Sequence, residues 1–228
     1  QAKFQLEMGL SADTGTMADS ARAFDRQAWV GFATPYGEFR AGRLNGIVFG
    51  RGDYIDFTSR TLGSVVNAFG TPSRYDNTVA YISPRMAGFL LEAHYSLAET
   101  TAGFSKQSVY QTGVDYLNGP FRVGYAGITG KAPAGAAVTQ DARYDNLYAN
   151  YDYGNGKIYA VYIRSNNNAA SGALNNGGTI LGNVGGVVAG TNTEANRFYK
   201  ITQLSADYKV SSALRVGGLY GRINDTSG

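Results

Sequence analysis

The sequence contains no cysteine, one histidine and only five prolines among its 228 residues. Without cysteine no disulfide can stabilise the fold, and a single histidine without a cluster of carboxylates makes no metal site. A large excess of one charge is also missing, because 20 basic residues are nearly balanced by 17 acidic ones, and the basic residues are dispersed along the chain. This balance leaves no electrostatic footprint for nucleic acid. The sequence therefore predicts no metal, no cofactor and no nucleic-acid partner.

Long hydrophobic runs are absent too. A helix that crosses a bilayer needs about 20 consecutive apolar residues, whereas Gly, Asn, Arg or Asp interrupts every apolar run in this chain. The mean hydropathy of −0.23 would suit an ordinary soluble protein. A membrane-spanning barrel has a similar value, because only every second residue of its strands faces lipid. The missing runs exclude helical membrane spans and leave a barrel possible.

Strict alternation of apolar and polar residues is the strongest pattern that is present. It runs through residues 1–10 and returns at 89–97, 110–116 and 203–210. A period of two predicts β-strands that have one apolar and one polar face. A soluble β-sandwich would alternate in the same way, so the pattern predicts strands without choosing between architectures.

The links between the strands discriminate better. The predicted strands lie near 1–10, 23–33, 37–44, 77–83, 88–97, 107–117, 121–128, 143–153, 157–164, 197–210 and 213–223. Short links rich in turn-forming residues alternate with long polar links near 11–22, 45–76, 98–106, 129–142 and 165–196. Tight turns at one end and long loops at the other are required by an up-and-down outer-membrane barrel, and Greek-key sandwiches do not keep this rhythm. The predicted fold class is an all-β, transmembrane, antiparallel up-and-down β-barrel, in which the Asn- and Gly-rich 165–196 segment is a mobile external loop.

Specific sequence segments also resemble those of a known protein family. The segments that carry it are 4–7, 26–32, 42–45, 77–84, 87–89 and 206–215, which read FQLE, RQAWVGF, GRLN, NTVAYISP, AGF and ADYKVSSALR. In order and spacing they resemble the general porins of Neisseria and related β-proteobacteria. The resemblance implies a homotrimeric channel in the Gram-negative outer membrane, surrounded by lipid and lipopolysaccharide, through which ions and small hydrophilic solutes diffuse passively.

The resemblance also implies a barrel of sixteen strands, of which this chain supplies about eleven. Residues 1–228 are then one incomplete barrel domain, and we expect about two strands before them and three after them. An open sheet edge in lipid leaves backbone groups unpaired at a cost of several kcal/mol each, so the sequence is expected to be part of a longer protein.

The same resemblance implies that residues 45–76 are a constriction loop folded into the pore. The expected constriction residues are Arg43, Arg40, Arg26, Arg74, Asp53 and Asp56. The expected lumen-lining residues are Lys3, Glu7, Glu92, His94, Arg122 and Asp207. Arg43 matches the position from which general porins project an arginine toward the loop, but alternation puts Arg40 on the opposite face of an ideal strand. We expect a β-bulge near Gly42 to resolve this conflict.

Three other classes of protein compete with a diffusion channel. An enzyme lacks support, since no nucleophilic serine turn is visible and a single histidine leaves no pattern for a Ser–His pair. A soluble β-sandwich adhesin or lectin would need no detergent. A substrate-specific outer-membrane channel would need an aromatic track or a plug, and the sequence shows neither. The slight basic excess predicts a weak preference for anions.

Overall fold

A computed structural model describes residues 1–97 apart from 21, 62, 70 and 72, together with residues 108–130, 141–166 and 199–225. Eleven antiparallel strands form one sheet in the order of the chain. They are β1 (Ala2–Glu7), β2 (Gln27–Thr34), β3 (Gly37–Asn45), β4 (Arg74–Ile82), β5 (Phe89–Ser96), β6 (Val109–Asn118), β7 (Phe121–Gly130), β8 (Ala142–Asp152), β9 (Lys157–Ser165), β10 (Tyr199–Lys209) and β11 (Arg215–Asp225). The prediction of about eleven antiparallel up-and-down strands is confirmed.

The first two strands are shorter than predicted, and β2 begins at Gln27 rather than near residue 23. β1 ends at Glu7, and the backbone N–H of Gly9 donates to the carboxylate of Asp25 at 2.6 Å in place of a ladder bond. Leu10 then forms an isolated bridge with Met17. Alternation reports which face a residue occupies and not its backbone partner, so it continues through residues 8–10 after the ladder has ended.

The strand connections are short at one end of the sheet and long at the other. The short ones are residues 35–36, 83–88, 119–120, 153–156 and 210–214, and the long ones that the structure describes, apart from residues 21, 62, 70 and 72, are 8–26 and 46–73. In the outer-membrane barrel that the sequence predicts, short turns lie on the periplasmic side and long loops outside, so the long connections would mark the external end. The predicted links near 98–106, 129–142 and 165–196 lie mostly outside the described residues, as does the prediction that the last of them is mobile.

One face of the sheet is apolar and uncovered. Phe4 is 74% exposed, and large apolar side chains are exposed at outward positions on every strand. Outward aromatic rings pair between strands, with 4.6 Å between the ring centroids of Phe89 and Tyr116 and 4.8 Å between those of Tyr95 and Tyr110. A continuous apolar face of this size is uncommon on soluble monomers and indicates contact with a membrane or a partner. Within the described part of the chain no helix is long and apolar enough to cross a membrane.

The other face is partly covered by residues 46–73, which contain helix α1 (Ile47–Gly50), a 3-10 turn (Gly52–Tyr54) and helix α2 (Val65–Phe69). We call residues 46–73 the inner loop. Its apolar side chains are buried against inward residues of β6–β10 and form the main hydrophobic core. The buried apolar residues of the inner loop are Ile47, Val48, Ile55, Val66 and Phe69. Burial of each such side chain contributes about 1.5–3 kcal/mol.

The inner loop also reaches the last strand. A β-carbon at Gly217 would lie 2.7 Å from the ring of Phe57, so a larger residue there would require that ring to shift. The loop leaves the sheet at β3, returns at β4 and touches β11, and the sheet therefore curves around it.

Candidate functional site

Amide side chains on three strands fasten the inner loop to the curved sheet. On β6, Gln111 Oε1 accepts the backbone N–H of Ile47 at 2.9 Å. On β8, Asn150 Nδ2 donates to the carbonyl of Tyr54 at 2.9 Å. On β10, Gln203 Oε1 accepts the backbone N–H of Val65 at 2.7 Å. The loop backbone is thus held at three points along the inner face.

Asp56 belongs to this attachment. Its side chain is 1% exposed and accepts hydrogen bonds from the Ser64 hydroxyl and from Gln203 Nε2, both at 2.8 Å. It also accepts the backbone N–H groups of Thr58 and Arg60 at 2.9 Å. The expectation that Asp56 faces the lumen is therefore corrected, because its oxygens are buried and used inside the loop. Asp53 is exposed.

Arg51 connects the inner loop to strands β5, β6 and β8 of the wall. Its guanidinium donates to Glu92 Oε2 and to the Tyr148 hydroxyl, both at 3.0 Å, and lies 3.5 Å from Asp115 Oδ2. Burial acts to lower the pKa of Arg51, but the hydrogen bond to Tyr148 and the negative charges of Glu92 and Asp115 outweigh it and raise that pKa above its ordinary value. Arg51 is therefore a fixed charge at any accessible pH.

Asp115 forms ion pairs with two further arginines. Arg85 Nη2 donates to its Oδ1 at 2.5 Å, and Arg122 Nε lies 3.3 Å from its Oδ2. The guanidinium of Arg122 also lies 3.7 Å from the ring centroid of Tyr54 in the loop. Of the residues in this network, Arg122 was predicted from sequence, whereas Arg51, Arg85, Asp115 and Tyr148 were not. The position of Asp115 on the polar face of β6 was the one signal that could have revealed this network.

A cavity of about 320 Å³ lies between the inner loop and strands β1–β5. Its charged lining consists of Arg40, Arg51, Arg85 and Glu92, and His94 lies beside Glu92. The His94 Nε2 and Glu92 Oε1 atoms are 2.9 Å apart, while Nδ1 has no protein partner within the described chain. Positive side chains outnumber negative ones around this cavity.

Arg40 faces this cavity as part of an inward row with Lys3 and Glu38. Arg40 Nε and Lys3 Nζ each donate to Glu38, at 2.7 Å. The guanidinium of Arg40 lies 4.4 Å from the ring centroid of Trp29. One carboxylate is thus shared by two cations, and the row carries one net positive charge.

Arg43 lies beside the predicted β-bulge, but the bulge does not bring Arg43 to the same face as Arg40. The register of β3 against β4 shifts between Gly42 and Leu44, whereas β3 stays paired without a break to β2 through Arg43. The extra residue belongs to β4, at Asp76 and Asn77, so the bulge expected near Gly42 exists but leaves the alternation of β3 intact. Arg40 and Arg43 therefore occupy opposite faces. The Arg43 guanidinium donates to Asp76 Oδ1 and to the backbone carbonyl of Asp25, both at 2.6 Å.

The remaining predicted residues form smaller groups on the wall. Arg26 and Gln27 both donate to the carboxylate of Glu7 near the external end of β1. The Arg74 guanidinium lies 4.7 Å from the ring centroid of Phe49 in the loop. Asp207, near the turn end of β10, is buried and accepts from Arg215 Nη1 at 2.5 Å. Their roles in permeation stay predictions.

The whole chain matches one protein family. A family model described as Gram-negative porin matches residues 1–228. The chain belongs to the Gram-negative porin family. The match confirms the resemblance that the sequence segments indicated. Because the family consists of outer-membrane proteins, this porin is an outer-membrane protein.

Individual relatives agree with the family. An outer membrane porin protein of Bordetella pertussis is 31% identical over 185 residues, which are 72% of this chain and 48% of that protein. The major outer membrane protein P.IB of Neisseria meningitidis serogroup B is 32% identical over 103 residues, which are 45% of this chain and 31% of that protein. This porin chain spans about half of the first relative and less of the second.

A solved structure shares the fold. The anion-selective porin from Comamonas acidovorans superposes with a TM-score of 0.74 at 21% identity, covering 99% of this chain and 64% of that one. The curved sheet is therefore of the porin β-barrel type, and the predicted fold class is confirmed.

Proposed function

We propose that the complete protein forms a water-filled channel for the passive diffusion of ions and small hydrophilic solutes. The observation that carries this proposal is the contrast between the two faces of one sheet. The outward face is apolar and exposed, while the inward face carries charged and amide side chains around a cavity. A barrel wall with lipid outside and water inside requires this contrast. Membership of the porin family supports transport rather than catalysis.

The inner loop is proposed as the element that narrows the channel. It crosses the inward face and is fixed there by Gln111, Asn150 and Gln203, so its position is set by the wall. The free cross-section would then lie between the loop and β1–β5, where Arg40 and Arg51 line the cavity. Arg26, Arg74 and Asp53 remain candidates for the surface that solutes meet, whereas Arg43 lies on the face of β3 opposite to Arg40 and is not among them.

A weak preference for anions is proposed from the lining charges. Three arginines and one glutamate line the cavity, and Lys3 adds to the wall through Glu38. An excess of fixed charge of one sign in a low-dielectric constriction concentrates counter-ions, and this effect becomes weaker as salt is added because the charges are screened. The complete protein is further proposed to be a homotrimer surrounded by outer-membrane lipid and lipopolysaccharide.

Liposome swelling tests this function directly. Liposomes that contain the full-length protein should swell in isotonic solutions of small neutral sugars, and the rate should fall smoothly as the sugar becomes larger. Protein-free liposomes supply the baseline. Swelling restricted to a single sugar would indicate a substrate-specific channel, and no swelling with correctly folded protein would contradict diffusion.

A further inference from the structure

Phe49, in helix α1 of the inner loop, has two arginine side chains against its ring. The guanidinium carbon of Arg60, which also belongs to the loop, lies 3.7 Å from the ring centroid, and that of Arg74 lies 4.7 Å from it. Arg74 is the first residue of β4 and pairs with Asn45 at the end of β3, so it belongs to the wall. One uncharged ring therefore contacts a cation of the loop and a cation of the wall.

The loop backbone is strained in the conformation that brings Arg60 to this ring. Ser59 and Arg60 have φ angles of 52° and 55°, in the left-handed region that residues with side chains rarely adopt. The buried carboxylate of Asp56 stabilises this turn, because it accepts the backbone N–H of Arg60 at 2.9 Å. The Arg60 side chain then crosses Gly52, where a β-carbon would collide with Nε. Strain of this kind concentrates at functional positions, and here the turn and the glycine together direct the guanidinium to Phe49.

The charges of these two arginines are not cancelled by an ion pair within the described part of the chain. Arg40, Arg43 and Arg51 are each paired with a carboxylate, whereas no such pair occurs for Arg60 or Arg74 among the described side chains. Arg60 Nε and Arg74 Nε and Nη2 are buried there without a hydrogen-bond partner. An ion pair would fix a guanidinium but cancel its charge, whereas an aromatic ring attracts a cation through its quadrupole and has no net charge. The ring therefore fixes both groups and leaves their charges in place.

Carboxylates lie close enough to these arginines to compete with the ring for them. The charge of Asp53 acts on Arg60, and the charges of Glu7 and Asp25 act on Arg74, in each case without a bond to the guanidinium. An arginine released from the ring could turn to one of these carboxylates and become paired. The ring therefore decides whether the two positive charges stay unpaired.

We propose that Phe49 is a positioning residue of the channel, which holds Arg60 and Arg74 as unpaired charges beside the path of solutes and thereby raises the preference for anions. Both arginines are partly exposed, so permeating ions can approach their charges. A fixed, unpaired positive charge in a narrow passage attracts anions more strongly than one that shares a carboxylate. This inference rests on the proposed channel function and assigns part of its selectivity to a side chain that carries no charge.

Reversal potentials of the full-length protein in a planar bilayer with a potassium chloride gradient test the proposal. Phe49→Leu keeps an apolar side chain but removes the ring, so the permeability ratio of chloride to potassium should fall about twofold as the arginines pair with carboxylates. Phe49→Tyr keeps the ring and should retain the parent ratio. The matched control is Phe57→Leu, which removes another half-buried ring of the same loop that packs against Gly217 and has no arginine over it among the described residues. This control should also retain the parent ratio.

A double-mutant cycle separates positioning of the arginines from simple packing of the loop. Arg60→Gln combined with Arg74→Gln should lower the permeability ratio at least as much as Phe49→Leu does. Adding Phe49→Leu to these two changes should leave the ratio where it is, because the ring then has no guanidinium to hold. A further fall would show that the ring acts by another route and would overturn the proposal.

Three other results would overturn the proposal as well. They are an unchanged ratio in Phe49→Leu, an equal fall in Phe49→Tyr and an equal fall in Phe57→Leu. If Phe49→Leu does not fold, an unchanged ratio in the variant that lacks both arginines overturns the proposal by itself. Absence of current from the folded parent protein would contradict the channel, whereas steady current together with any of these results would contradict only the role of Phe49.

Discussion

Arg51 and Arg40 line the same cavity but are held in different ways. Arg51 is buried between the loop and the wall and is bonded to Glu92 and Tyr148, with Asp115 nearby. Arg40 is half-buried, shares Glu38 with Lys3 and rests on the Trp29 ring. Arg51 is therefore expected to matter mainly for structure and Arg40 mainly for the charge that ions meet.

Replacement of Arg51 tests the structural role. Arg51→Gln should lower the free energy of unfolding by about 3 kcal/mol, because removing one partner of a buried ion pair leaves its carboxylates undercompensated. Chemical denaturation of the full-length protein in detergent measures this. Arg222→Gln, an exposed outward arginine, should change stability little. Equal stability of Arg51→Gln and the parent protein would show that Arg51 does not contribute to the attachment of the loop.

Replacement of Arg40 tests the electrostatic role. Arg40→Gln should shift the reversal potential in a potassium chloride gradient toward cations, and the shift should shrink at high salt because the charge is screened. Stability should fall by less than about 1 kcal/mol, as expected for a partly exposed ion pair. Lys209→Gln removes one exposed charge at the turn end and serves as control. A reversal potential that responds equally to both changes would contradict a local role.

At the scale of elements, the alternation of the strands was predictable from sequence and the contacts of the inner loop were not. Alternation is a local property, so the faces of β1 could be assigned from residues 1–7 alone. Gln203 meets Val65 across 138 positions of sequence, and no local pattern reports such a pair. Asp56 was misassigned for the same reason, because its burial depends on Gln203 and on the turn at Ser64.

The faces of β1 can be tested with single cysteines, because the sequence has none of its own. Gln5→Cys should react with a membrane-impermeant, negatively charged thiol reagent and lose conductance, because Gln5 lines the cavity. Leu6→Cys, its outward neighbour, should stay unreactive in the bilayer. Reaction of Leu6→Cys in preference to Gln5→Cys would reverse the assignment of lumen and lipid faces.

The attachment of the loop to β10 can be tested at Gln203. Gln203→Leu keeps the approximate size of the side chain but leaves the Val65 N–H and the Asp56 carboxylate without this partner, at about 1–3 kcal/mol for each buried group. Single-channel recordings should show increased current fluctuation as the loop moves. Ser205→Ala is the control on the same inward face, since its hydroxyl has no protein partner in the described ranges. Equal noise in both variants would argue against attachment through Gln203.

At the scale of the whole molecule, the fold class followed from the rhythm of short and long links, because an up-and-down barrel imposes that rhythm on every pair of strands. The register shift at β4 could not be placed from sequence. The conflict between Arg40 and Arg43 pointed to an irregularity near Gly42, but either strand of the pair could have held the extra residue. The network around Arg51 was missed because the arginine and its acidic partners come from separate strands and a loop.

The central claim is that the polar inward face encloses a water-filled path narrowed by the inner loop. The most direct measurement is the single-channel conductance of the full-length protein in a planar bilayer as potassium chloride is raised. A water-filled pore predicts discrete, long-lived conductance steps that grow in proportion to the conductivity of the solution, with a modest departure at low salt where the lining charges concentrate ions. Absence of steps, or a conductance that saturates as salt is raised, would contradict a diffusion channel.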